Sequence, residues 1–391
     1  MKTLDERLNV LREELKQRKV RIMIIGLGSV GNYLLDYLMS SGDEKMELCV
    51  AGRNAEKMQS DVNIVRVASM IRGQNRSEIS VIGNVDLNVV SSIEDAIKTF
   101  KPDIIVNSSR AYSGLKYGSI SWKNVRAYGI WSPLAIRFTK NIMKAYEQAD
   151  SDAIVINTSY SDAVIPWLKT AGMAYPDFGS GNINHLLPRI KFAVAEQLGI
   201  RDYWNIDITF AVSHFHDVVI SKEGHSEGKD LLIDIRYHGE KQSPDMEQVL
   251  KHCAIAMPVD AKRNQMNASS NYEIIRAILD AVRDGEKRKI HCPGVFGEIG
   301  GYPVIIDGTA KEVKAYLCED YFSAEEMMEK NRESIYLDGI EDVKDGTLVY
   351  TNELLQKVKR AFGVELPKKV EFKEVETVAS FIIKEIIEKN V

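Results

Sequence analysis

Residues 20–31, VRIMIIGLGSVG, constrain this chain more than any other segment. A largely apolar run, 20–25, enters Gly26-Leu27-Gly28-Ser29-Val30-Gly31, and the helix-period stretch NYLLDYLMSSG follows. G-x-G-x-x-G acquires meaning only in this context, closing a buried strand and opening a helix. Gly26 allows the tight turn, Gly28 lets a pyrophosphate approach the backbone, and Gly31 lets helix and strand pack closely. Free N–H groups and the positive dipole end at the helix start suit phosphate, so these six residues form the expected dinucleotide cradle.

Strand-like and helix-like segments then alternate. MELCVAGRN (46–54), SEISVIGNVD (77–86), PDIIVNSS (102–109) and DAIVINTS (152–159) read as strands, with SSIEDAIKTF and IRFTKNIMKAYEQ as helices between them. Alternation at this spacing predicts a parallel sheet with right-handed crossovers, a Rossmann-type doubly wound domain over 20–160. An amphipathic helix is expected over 1–19, from the spacing of Leu4, Leu8, Leu11 and Leu15. Residues 161–391 have another texture: a long helix at 181–200 entered or interrupted at Pro188, strands at 205–221 and 231–239, helices near 245–257 and 271–284, and a strand or hairpin at GGYPVIIDGT. From 323 onward two helical stretches are expected, with SAEEMMEKNRES a solvated helix face. The fold class is therefore α/β, a doubly wound parallel sheet followed by one α+β substrate or catalytic domain.

Charge excludes some partners. Lys and Arg total 51 against 56 Asp and Glu, a net charge of -5 over 391 residues, so no broad basic surface exists for nucleic acid or an anionic membrane. No run approaches the ~18 consecutive apolar residues of a membrane span, and the charged start lacks a signal peptide's apolar middle. Cys49, Cys253, Cys292 and Cys318 form no CxxC pair. A cytoplasmic protein with reduced thiols is expected.

The end of the second strand bears on the cofactor. About 20 positions after the glycines, a carboxylate would bond the ribose 2′-hydroxyl of NAD. Ala51-Gly52-Arg53-Asn54 stands there without one. Arg53 suits a 2′-phosphate, with Lys57 a second cation, so NADP(H) is preferred and NAD(H) remains open. Ser108 and Asn54 join the expected cofactor contacts. The aromatic-rich stretch 111–133 is long for a connection and reads as a lid or a solvated loop, its Lys116, Lys123 and Arg126 suited to a small anionic substrate.

Three further stretches follow in order: Asn157 closing a strand, Gly179-Ser180-Gly181-Asn182 opening a helix, and Ala211-Val212-Ser213-His214-Phe215-His216-Asp217. This order, with NASSNYEIIRAILDAV and GEIGGYPVIIDGTAKEV later, resembles the lactate/malate dehydrogenase-like superfamily over residues 20 to about 330. The resemblance implies a nicotinamide-dependent oxidoreductase for a small carboxylate-bearing hydroxy or amino compound, and a homo-oligomer, dimer or tetramer. It makes His214, or else His216, the acid/base, suited by an imidazole pKa near neutrality, with His185 a further catalytic candidate and the choice of which of the three faces the nicotinamide left open. Asn157 would contact the nicotinamide or the substrate oxygen, and Arg126, with Arg110 as rival, would polarise the substrate; Arg189 lies one register from the carboxylate-binding arginine. Two departures stand out. Asn184 or His185 occupies the place of the helix Asp that orients the histidine, and Phe215-His216 intervenes between His214 and Asp217.

The second half is also similar to the NAD- and metal-dependent family 4 glycosidases, with His214 on their metal-binding His but Gly181 in place of their Cys. His185, His214, His216 and Asp217 are its candidate ligands, although no metal is expected. VAGRN and KPDIIVNSS resemble the cofactor domain of saccharopine-reductase-like enzymes. A dinucleotide-binding regulator without catalysis is the remaining alternative.

Overall fold

A strand buried on both faces needs helices on both sides, and β1 (Val20–Ile25) has five of its six residues buried. The computed structural model describes residues 2–390. Thr3 and Glu6 form a capping box at the start of α1 (Leu4–Glu14), whose Leu8 and Leu11 are buried. The chain then winds through α2 (Ser29–Ser40), β2 (Met46–Ala51), α3 (Ala55–Ile71), β3 (Glu78–Ile82), α4 (Val90–Phe100), β4 (Ile104–Asn107), α5 (Gly114–Asn124), α6 (Ser132–Gln148), β5 (Ile154–Asn157), α7 (Ser161–Thr170) and β6 (Phe178–Gly179). The six strands lie parallel in the order β3-β2-β1-β4-β5-β6, the reversal at β1/β4 placing a crevice beside the glycine turn.

The next layer comprises α8 (Ile183–Leu198), β7 (Ile206–Ala211), α9 (His214–Glu223), β8 (Leu232–Tyr237), β9 (Glu240–Lys241), α10 (Met246–His252), α11 (Asn264–Asp284), β10 (Lys287–Pro293), β11 (Gly301–Asp307) and β12 (Lys314–Leu317). Its strands form two antiparallel three-stranded sheets. The chain ends in α12 (Ala324–Leu337), β13 (Ile340–Lys344), β14 (Thr347–Tyr350), α13 (Asn352–Phe362), β15 (Lys369–Glu371) and α14 (Val375–Ile382).

The α/β class holds, and five local expectations are corrected. The parallel sheet passes residue 160, because Phe178 and Gly179 pair with Ile156 and Asn157. Beyond 323 lies an antiparallel sheet, β13-β14-β15, as well as helices. Its Ile340, Leu348 and Tyr350 bury themselves with Ile105, Ile142 and Val155 of the first half, so the C-terminal segment shares the core of the doubly wound sheet. The stretch 111–133 is largely helical, and α8 runs through Pro188. Residues 205–221 are not one strand: β7 stops at Ala211, and Ser213, in extended conformation, immediately precedes α9. The glycines of 291–301 serve packing, since a Cβ on Gly294 would lie 2.3 Å from Ser161 O and one on Gly300 2.1 Å from an Asn331 side-chain oxygen.

All four cysteines are buried and free. Among the described residues no helix is long and apolar enough to cross a membrane.

The leading helix is fastened by charge as well as apolar contact. Arg7, buried, donates from Nη1 to Asp177 at 2.9 Å and to Ala153 O at 2.8 Å, while Asp177 also accepts the Val155 N–H at 2.9 Å. Removing one partner leaves the other charge buried alone. Arg7→Ala is therefore expected to lower the unfolding free energy by about 3 kcal/mol, read by urea denaturation; a loss under about 1 kcal/mol, the range of an exposed pair, would contradict the buried pairing.

Candidate active site

The glycine turn opens onto a cleft of about 950 Å³ that runs from β2 to α9. Gly26 has φ +90°, a conformation that side chains resist, and a Cβ on Gly31 would sit 2.3 Å from Gly26 O. Gly28 lines the cleft, and a Cβ there would project into open space. Two glycines thus serve backbone geometry while Gly28 leaves the chain bare to a ligand. Ser108 Oγ donates to Ile25 O at 3.2 Å, bracing the turn from β4. Leu27, Ser29 and Val30 also line the cleft. Asn54 Oδ1 accepts the Lys57 N–H at 2.9 Å, capping α3, and beside it Arg53 reaches the cleft wall. The arrangement fits a dinucleotide, with the bare turn and helix N-terminus for its pyrophosphate.

At the other end of the cleft stands His214, the first residue of α9. Its Nδ1 lies 2.8 Å from Asp338 Oδ2, and the ring lines the cleft. An Nδ1–H donated to Asp338 leaves Nε2 as the proton-accepting nitrogen facing the cleft. Tyr128 and Tyr160 flank the ring edge-on, with centroids 4.9 and 5.0 Å away. Asp338 is fully buried and also accepts the Tyr160 hydroxyl and the Tyr128 N–H, each at 2.7 Å. The His214 N–H donates to Asp162 at 3.0 Å. Burial opposes protonation of His214, but Asp338, with Asp162 and Asp217, outweighs it and raises the pKa above its ordinary 6.5.

The other expected residues divide. His185 lines the cleft beside Arg189, and burial first, then Arg263 and Arg189, push its pKa down to about 3, leaving a neutral ring. Asn184 turns away, donating to Ser270 and Glu273 of α11 at 2.9 Å each. His216 is not a cleft residue: its nitrogens bond Ser334 Oγ at 2.7 Å and Ser226 O at 3.1 Å, because two residues along a helix point it away from His214. Asn157 is fully buried beneath the cleft. Its Oδ1 accepts from Asn107 at 2.9 Å and Thr139 at 3.1 Å, and its Nδ2 donates to Ser159 and Ser161, both at 3.0 Å, so nothing is left for a ligand. Arg126 is held on the C-terminal end of α9 by Glu223 and Glu227, donating at 3.2 and 2.9 Å, since its positive φ of 51° turns the chain there. Arg110, Arg189 and Arg263 line the cleft instead.

Asp338 went unrecognised in the sequence, having no motif and lying 124 residues from its histidine. Asp162 was missed too, although an acid in the first turn of a helix after a strand is a signal open to inspection. The proposed metal ligands do not converge. Among the described residues, the one grouping of three His, Cys, Asp or Glu ligand atoms is Glu223, His225 and Glu227, outside the cleft.

No protein-family model and no curated protein matches the sequence. Solved structures do match. Malate dehydrogenase of Cryptosporidium parvum superposes with TM-score 0.53 at 12% identity, covering 82% of this chain and 98% of that one. Lactate dehydrogenase of the same organism, solved with lactic acid and β-nicotinamide adenine dinucleotide, gives 0.53 at 13%, covering 82% and 97%. Malate dehydrogenase of Aeropyrum pernix gives 0.50 at 16%, covering 81% and 97%. The chain has the lactate/malate dehydrogenase fold. At these identities the likeness is one of architecture, and the histidine with its carboxylate stands on this chain's own geometry.

The Asp217 carboxyl, one turn beyond His214, has an unpartnered Oδ1, and burial pushes its pKa up to about 7. Burial likewise lifts Asp162 to about 6. A carboxyl whose folded pKa exceeds the unfolded one binds extra protons in the native state, so stability falls as pH rises from about 4 to 7. Asp217→Asn is expected to raise stability by roughly 2 kcal/mol at pH 8 and not at all at pH 3, by thermal unfolding at both. A gain of equal size at both pH values would mean that charge burial is not its origin.

Proposed function

We propose that this chain is a nicotinamide-nucleotide-dependent dehydrogenase for a small, carboxylate-bearing hydroxy compound, with His214 as its acid/base. The carrying observation is that His214, oriented by buried Asp338, faces the same cleft on which the Gly26-x-Gly28 turn opens. The fold shared with malate and lactate dehydrogenases supports the reading. Seven arginines and lysines line the cleft against two aspartates, which suits an anionic cofactor and substrate.

When bound, the nicotinamide supplies a hydride acceptor or donor for the carbinol carbon. The chain's part is to bind, orient and move a proton. Gly26, Leu27, Gly28, Ser29 and Val30 hold the pyrophosphate, with Gly31 and Ser108 supporting the turn. Arg110 and Arg263, on the cleft wall, attract the anionic substrate into the cleft. His214 Nε2 takes the hydroxyl proton as the alcohol becomes a carbonyl compound, and returns it in reduction. Asp338 is a positioning residue: it fixes the tautomer and supports the imidazolium that forms.

Alcohol oxidation needs the neutral ring, so kcat/KM should rise through the His214 pKa, above 6.5. His214→Ala is expected to lower kcat by about a hundredfold or more. Asp338→Asn should lower kcat comparably and move the rising limb to lower pH, because the carboxylate that raises the pKa is gone. An unmoved limb would remove Asp338 from the mechanism.

We further infer a preference for NADP(H). No carboxylate closes β2, and Arg53 lines that end of the cleft; Lys57 is paired with Asp61 at 2.7 Å, so Arg53 carries the contact. Calorimetry should show tighter NADPH than NADH binding, with Arg53→Ala weakening NADPH about tenfold and NADH little. Wild-type preference for NADH would overturn this.

A further inference from the structure

Buried polar atoms almost always have partners, and four without any fall on one wall of the cleft: His185 Nε2, Arg189 Nε, Asp217 Oδ1 and Ser221 Oγ. Helical spacing gathers them. His185 and Arg189 lie four apart on α8, Asp217 and Ser221 four apart on α9, and the two helices pack together. Arg189 is already anchored, its Nη1 donating to Cys253 O at 3.0 Å, which leaves the Nε–H for something else. Both Arg189 and Asp217 are more than nine-tenths buried. Donor and carboxyl sit close enough for their charges to interact, yet they form no ion pair with each other among the described residues.

Asp217 is the anomaly. Asp162 and Asp338 are both occupied by donors from the protein. Asp217 is not, and in a cleft suited to anions an unpartnered carboxyl next to the reacting centre repels a simple hydroxy acid. Buried like-charge juxtaposition of this kind works as discrimination. It becomes favourable once the ligand brings its own positive donor, and the ammonium would also pull the Asp217 carboxyl back toward its ionised form.

Resting on the dehydrogenase reading above, we propose that Asp217 and Arg189 form a recognition pair for an α-amino-acid head, Asp217 receiving the ammonium and the Arg189 Nε–H the carboxylate. The compound oxidised at His214 is then a hydroxylated amino acid. Ser221, one turn beyond Asp217, supplies a second oxygen for the ammonium, and neutral His185 accepts a remaining donor.

The test uses the full chain saturated with NADPH or NADH, whichever binds more tightly, and matched pairs differing only in the amino group. These are L-serine with 3-hydroxypropionate, L-threonine with 3-hydroxybutyrate, and L-homoserine with 4-hydroxybutyrate. Calorimetry should find at least one amino member bound about tenfold or more tightly than its partner, the difference made by a hydrogen bond to a charged group. Asp217→Asn should erase that preference while cofactor affinity, the control for folding, stays intact. Equal binding within every pair, binding of no amino member, or a preference that survives Asp217→Asn overturns the proposal. Failure of the dehydrogenase reading looks different: neither nucleotide binds, or His214→Ala leaves turnover of whichever member of a pair is oxidised unchanged.

Discussion

The Asp338 carboxylate is the point at which three parts of this molecule meet. It sits fully buried at the end of α12, and burying a charge is costly unless donors surround it. Here Tyr128 supplies an N–H from the first half, Tyr160 a hydroxyl from the turn before α7, and His214 a ring N–H from α9. The main chain takes part as well, Asp338 O accepting from Gly129 N at 2.9 Å. Any shift of the C-terminal segment against the doubly wound sheet would strip donors from a buried carboxylate. That explains why β13–β15 share the sheet's core rather than forming a detached unit.

Glycine plays the corresponding role wherever backbones must touch. A Cβ on Gly129 would lie 2.5 Å from Asp338 O, and one on Gly179 would lie 2.0 Å from Pro293 O. The first contact brings 126–131 within reach of Asp338. The second brings β6 against β10, which sets α8 and its His185 along the cleft. Charged groups in the cleft depend on these approaches, because the desolvation that moves the Asp217 and His185 pKa values in opposite directions comes from close-packed walls.

The sequence disclosed what is local. The glycine turn, the alternation of strands and helices and the amphipathic first helix depend on neighbours a few residues apart, and all stand in the structure. Arg53 and Ser108 line the cleft because they follow the ends of β2 and β4, next to the turn. What stayed hidden is long-range or depends on a switch of period. His214 and His216 alternate as a strand would have them, yet Ser213 begins a helix, so one ring faces the cleft and the other Ser334. Asn157 ends a strand where the resemblance wants a ligand contact, but Asn107 and Thr139, from separate elements, consume it. The free guanidinium of Arg126 vanished in the same way, into carboxylates 97 and 101 residues downstream.

The position of His214 carries its own constraint. As the first residue of α9 it stands at the positive end of a helix, where imidazolium is disfavoured. A base there would be weakened unless acids compensate. Asp162, from the first turn of α7, and Asp217, from the first turn of α9 itself, both act on it through space, and Asp338 binds it directly. The net upward shift survives only because three carboxyls offset the burial of the ring. One of the three, Asp217, has nothing else to hold in the free protein. Anything that neutralises it on binding weakens the support for imidazolium and leaves Asp338 to supply most of what remains, so occupancy of that wall and basicity at Nε2 are coupled through a single turn of helix.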